Sequence, residues 1–308
     1  MRNKNRITLV IVCFLAVLVT HEIVAQQQPQ YTQYMYNTAV LNPGYTGVGG
    51  KIEGNLLFRS QWVGVEGAPE NQSFALHAKA TDKIGLGITA TNDKLGASNN
   101  VHVNGNFAYE ITTGYTTKLS LGLNAGVDIL NVDWSKGTFA NNQDPIFQEN
   151  IQQTRPIFGA GIFFYSDIWY VGISDNNFLN SHIYNDDERI VTDRKSQYYV
   201  MGGYVFDLSN AVKFKPAFLT KHVSGAPITV DISANFLIQE KLNLGLGYRY
   251  DDAISALAGF QVTKNFFLGY AYDYTLSGFN NYNDGSHEII LKYRVFDQKK
   301  RALSPRFF

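Results

Sequence analysis

Between Lys118 and Ile129 the chain alternates without a break. Leu119, Leu121, Leu123, Ala125, Val127 and Ile129 fall on one phase; Lys118, Ser120, Gly122, Asn124, Gly126 and Asp128 fall on the other. Lys241–Tyr250 repeats the pattern, setting Leu242, Leu244, Leu246, Tyr248 and Tyr250 against Lys241, Asn243, Gly245, Gly247 and Arg249. A period of two marks an extended strand with one apolar face. That face ends in aromatic rings, and its opposite is polar or glycine. This is the lipid-out, lumen-in alternation of a membrane barrel. A soluble sandwich also alternates, but its solvent face should carry more Lys and Glu and less Gly.

Fourteen windows fit strands: 51–62, 71–80, 83–92, 100–113, 115–130, 154–165, 167–175, 196–207, 211–222, 227–237, 241–250, 253–262, 264–275 and 285–296. Most even-numbered connections are tight turns, whereas 63–70, 93–99, 131–153, 176–195 and 276–284 are long. Short periplasmic turns alternating with long external loops is the barrel rule, and an even strand count puts both termini on the periplasmic side. The expected fold is therefore all-β: a 14-stranded antiparallel transmembrane β-barrel with an N-terminal plug-like segment.

The ends divide the chain further. Arg2, Lys4 and Arg6 precede an apolar run, Ile7–Val19, too short to span a bilayer as a helix, and Ala25 offers a cleavage site. Residues 1–25 thus read as a signal peptide, 26–50 as a plug or periplasmic segment, 51–296 as the barrel and 297–308 as a periplasmic tail. Beyond the signal, 23 basic residues face 25 acidic ones, which argues against a nucleic-acid partner. The one cysteine, Cys13, lies within the signal, so disulfides and thiolate metal sites are excluded from the remainder.

Several stretches resemble one family, the PorP/SprF outer-membrane proteins of the type IX secretion and gliding system. They are Gln33–Asn37, Leu41–Gly47, Arg59–Trp62 with Gly67–Pro69, Tyr270–Ser277, Gly285–Ile289 and Ser304–Phe307, in order across nearly the whole chain. Gly44 stands where the family pattern has alanine. The resemblance implies a non-enzymatic barrel in the outer-membrane lipid, with no cofactor. It also implies two kinds of partner: a secreted cargo or adhesin bearing a type IX C-terminal secretion domain, and periplasmic machinery or anchoring proteins. Export or surface anchoring of that cargo is the implied function. The alternative is a plugged passive porin or hydrophobic-solute transporter.

The residues themselves contain no HExxH, H-x-E…CxxC or G-x-S-x-G arrangement. Asp273, Ser277 and His287 could form a rim triad only if they shared a face. Parity turns Asp273 and Glu288 inward and His287 outward, so no catalytic residue is assigned. The same parity puts Glu53, Asn55, Arg59 and Gln61 in the lumen, with Glu288, Lys292 and Arg294 on the last strand. Closing the ring makes the first and last strands neighbours. Arg59 is expected near Glu288 with Asp273 close by, either locking the seam or meeting cargo; Gln61 belongs to the same rim.

Fourteen strands enclose more space than wall side chains fill. Tyr34, Tyr36 and Tyr45 are candidates to occupy it, with Asn42 and Pro43 supplying the turn; a periplasmic docking peptide is the competing reading. In the tail, Lys299, Lys300, Arg301 and Arg306 make a basic stretch. Pro305 cannot join a ladder, so Phe307 and Phe308 read as a docked peptide rather than strand; the tail is either a disordered positive extension or a contact for a periplasmic partner such as the machinery's anchoring proteins.

Overall fold

The structure, a computed structural model, describes residues 30–137, 150–179, 181–184, 190–194 and 196–295. The signal-peptide assignment and the tail candidates Lys299, Lys300, Arg301, Arg306, Phe307 and Phe308 lie outside these residues.

Fourteen strands close into one antiparallel ring: β1 (Ile52–Ser60), β2 (Glu70–Lys79), β3 (Ile84–Leu95), β4 (Ser98–Thr112), β5 (Lys118–Val132), β6 (Ile151–Tyr165), β7 (Trp169–Asp175), β8 (Gln197–Tyr204), β9 (Val212–Val223), β10 (Thr229–Ile238), β11 (Leu242–Arg249), β12 (Ala253–Gln261), β13 (Phe266–Thr275) and β14 (Ser286–Val295). β1 pairs with both β2 and β14, and β8 with β9, so no edge is left open. Phe206–Asp207 continues the ladder of β8 onto β9, and Ser181–Tyr184 pairs with Ile190–Arg194 as a separate hairpin.

Burial reverses the order found in soluble proteins. Leu246 is 65% exposed on the outer face, whereas Lys215 is fully buried on the inner one. Phe58, Leu121, Leu123 and Leu244 also face out; Glu53, Asn55, Asp128, Asn235 and Lys292 face in. A charge on the outer phase at mid-bilayer would cost roughly 2–4 kcal/mol, so the phase of each strand is fixed. Near the tight turns, Tyr204, Phe206, Phe214 and Phe236 form a ladder of rings with centroids 4.5, 6.1 and 4.9 Å apart.

Two boundaries differ from the sequence reading. The connection expected at 93–99 is only the Gly96-Ala97 turn, because Asp93 pairs with Asn100 and Lys94 with Asn99 in a continuing ladder. Both faces are polar there, so alternation carries no signal. β1 stops at Ser60 rather than Trp62, which adopts a left-handed φ of 47° and stacks edge-on against Phe279. At the opposite end, Gln239 and Glu240 both take positive φ (50° and 55°), giving the mirror-image turn that matches strand twist.

The chain ahead of β1 lies inside the ring. Residues 31–48 are buried except for the partly exposed Val40, and form a helical turn α1 (Thr38–Leu41) and a 3-10 turn (Pro43–Tyr45).

Candidate functional site

The inner wall admits the N-terminal segment because glycines remove the side chains that would stand in its way. A β-carbon on Gly122 would collide with the backbone of Pro43 and Gly44, one on Gly161 with Asn42, and one on Gly85 with Thr46. Gly122 on β5 and Gly85 on β3 let main chain approach main chain, and Gly161 on β6 makes room for the Asn42 side chain. Asn42 then locks the bend: its Oδ1 accepts from the Gly44 N–H at 2.8 Å, and its Nδ2 donates to the Ile162 carbonyl at 3.0 Å. A β-carbon at Gly44 would lie 2.9 Å from Asn42 Oδ1 and 3.1 Å from the Gly161 carbonyl oxygen. The departure from alanine at this position has that steric correlate.

Near the long-loop end, the segment meets a buried charge cluster. Arg59 Nη2 is 2.6 Å from Asp273 and Nη1 is 3.2 Å from Glu288, with side-chain exposures of at most 3%. β1 and β14 place Arg59 directly opposite Glu288. Both carboxylates also hold the segment. Thr32 donates its N–H to Glu288 at 2.9 Å and its hydroxyl to Asp273 at 2.6 Å; the Gln33 N–H donates to Glu288 at 2.7 Å. Arg59 Nη1 donates to the Thr32 hydroxyl oxygen at 2.8 Å. Thus the groups that stitch β1 to β14 and those that fasten the segment are the same.

A second cluster lies near the tight-turn end. Glu53 accepts from Lys292 at 2.8 Å and from Arg294, and His77 Nε2 is 3.6 Å away. Tyr45 donates to Glu53 at 3.4 Å and sets its ring edge-on to His77 and Phe163. Tyr36 packs on Phe267 with centroids 4.9 Å apart, under Lys215 Nζ at 5.6 Å, and accepts from Asn243. The Tyr34 hydroxyl lies 2.9 Å from Ser233 Oγ on β10.

Tyr34, Tyr36, Asn42, Pro43 and Tyr45 therefore all line one lumenal path, and Arg59, Asp273 and Glu288 form one cluster. Gln61 lies just beyond β1, buried, its backbone N–H bonded to the Pro69 carbonyl; its side chain joins none of the cluster hydrogen bonds. Thr32 and the individual receiving glycines were not singled out by sequence, and Gln33 appeared only within a stretch resembling the family, with no contact assigned to it. Glycine on the lumen phase of adjacent strands was the available signal. Of the imagined rim triad, Asp273 is engaged by Arg59 and Thr32, and His287 meets the Tyr270 hydroxyl at 2.6 Å on the other phase.

A closed ring with its apolar face outward and its charges inward defines an outer-membrane β-barrel. Its shape is similar to that of the CymD monoaromatic hydrocarbon channel, at a TM-score of 0.51 and 10% identity, over 89% of this chain and 95% of that one. Also similar are the Pseudomonas putida toluene transporter TodX (TM-score 0.48, 9% identity, 85% and 95% covered) and Omp33 of Acinetobacter baumannii (0.46, 9%, 80% and 99%). Residues 23–293 match the family model described as type IX secretion system membrane protein PorP/SprF, and the chain belongs to that family. No curated protein matches the sequence significantly.

Proposed function

We propose that this barrel serves the type IX secretion system by supporting export or surface anchoring of one cognate secreted protein, with the N-terminal segment closing its lumen. The cognate protein is a cargo or adhesin with a type IX C-terminal secretion domain. The long loops face the cell surface, and the tight turns face the periplasmic machinery. Family membership supports the secretion role; the observation that carries the closure reading is the segment's burial over residues 31–48 against wall groups around the ring. The protein is not an enzyme in this reading. Asp273 and Glu288, the carboxylates of the imagined rim, are engaged by Arg59, by the Thr32 hydroxyl and by the N–H groups of Thr32 and Gln33.

Deletion of residues 27–46 tests closure. Reconstituted into liposomes, the deleted barrel should pass small solutes that the intact one retains; equal permeability would sink the plug. Pull-down from native membranes with mass spectrometry tests the partner. Free permeation through the intact barrel with no co-purifying secreted protein would favour a solute channel instead.

A further inference from the structure

The segment has a direction. Thr32 and Gln33 are held by Arg59, Asp273 and Glu288, which lie within two residues of the long-loop ends of β1, β13 and β14. Five residues on, Asn37 donates to Ser73, midway along β2. Asn42 then donates to the Ile162 carbonyl on the lower part of β6, toward the tight turns. The Gly47 N–H donates to His77 near the tight-turn end of β2. Exposure follows the same axis: Gln30 is partly exposed, and after it the chain is buried, Val40 apart, until the partly exposed Gly49-Gly50, beside Arg294 and Val295.

We infer that the N-terminal segment is threaded through its own barrel from end to end, with Gln30 at the long-loop mouth and Lys51 at the tight-turn mouth. Residues 30–51, twenty-two residues of continuous chain, thus connect the two faces of the ring. This departs from the expectation that both ends of the mature chain share the periplasmic face; the strands β1 and β14 do begin and end on one side, but the chain ahead of β1 crosses back. The segment's first residues are then a handle at the face that carries the long loops. Anything binding there acts on the lumen's contents directly, without a signal passing through the wall. The inference concerns path alone and holds whether or not the segment blocks flow.

Thiol accessibility tests it, because Cys13 is the only cysteine. In a C13S background, single variants Gln30→Cys, Lys51→Cys, Asn281→Cys and Asp82→Cys are exposed to a membrane-impermeant maleimide, first in intact cells and then after permeabilisation. Asn281, in the loop before β14, and Asp82, in the turn after β2, calibrate the two faces. Gln30→Cys should label under the conditions that label Asn281→Cys, and Lys51→Cys under those that label Asp82→Cys. Labelling of Gln30→Cys with the Asp82→Cys set overturns the threading. So does its protection from both faces when urea-unfolded protein labels fully. Heat-dependent gel mobility of each variant confirms a folded barrel.

Discussion

Gly122→Ala adds one methyl group to the inner wall, and its effect should depend on the N-terminal segment. In an isolated strand, alanine is favoured over glycine by roughly 0.5–1 kcal/mol. Here the new β-carbon would sit far inside the roughly 3.5 Å separation of non-bonded carbons from Pro43 and Gly44. The β4–β5–β6 ladder cannot yield without breaking register with both neighbours, so the segment has to move. Moving it opens the Asn42–Ile162 bond at 3.0 Å and the bond from Ser174 to the Leu41 carbonyl at 2.7 Å. Two hydrogen bonds at about 1 kcal/mol each, with about 1–3 kcal/mol for overpacking, give a loss of about 3–5 kcal/mol. Urea unfolding in vesicles, followed by gel mobility, measures it. The substitution should cost that much in the full chain and become neutral or slightly stabilising once residues 27–46 are deleted. Gly54→Ala, whose added carbon would make only ordinary contacts of 3.5 Å or more, should be near neutral in both. An equal cost for Gly122→Ala in both backgrounds would refute the argument that the segment occupies this groove.

Reversing the seam pair, Arg59→Glu with Glu288→Arg, should fail to restore the stability lost by either change alone. The new arginine would face the N–H donors of Thr32 and Gln33, and the new glutamate would face Asp273; full rescue in urea unfolding would show that the cluster serves the seam only. Glu53→Gln leaves Lys292, Arg294 and His77 around a neutral amide and should cost about 3–5 kcal/mol, the usual loss when one partner of a buried pair is removed, read from the same unfolding curves. Tyr36→Phe strips Asn243 of its acceptor and should cost about 1–3 kcal/mol while leaving ring packing on Phe267 intact, so strand signals in circular dichroism should not change.

The ring was legible in sequence because each strand repeats one decision: apolar toward lipid, polar or glycine toward the lumen. Where that decision is absent the reading slipped. Asn92–Asn100 offers no apolar phase, so a ladder looked like a loop, and a left-handed backbone at Trp62 leaves no mark in an alternation pattern. The Arg59–Glu288–Asp273 neighbourhood followed from parity and closure, since register between the first and last strands is fixed once the lipid face is. The segment's path did not follow. Residues 31–48 have no period, and their positions are set by scattered partners such as Ser73, Ser233 and Asn243 that become neighbours only in the finished ring.

Sharing Arg59 and Glu288 between seam and segment makes two events into one. A ring that zipped up around an empty bore would bring β1 and β14 together with the Glu288 carboxylate lacking its two main-chain donors and Asp273 lacking the Thr32 hydroxyl. Docking of the segment with the seam still parted would leave Arg59 without its contact to Glu288. Neither half-built state keeps the full set of bonds, so closure and filling are cooperative. The finished object behaves as a single unit of assembly in which a hollow intermediate is disfavoured.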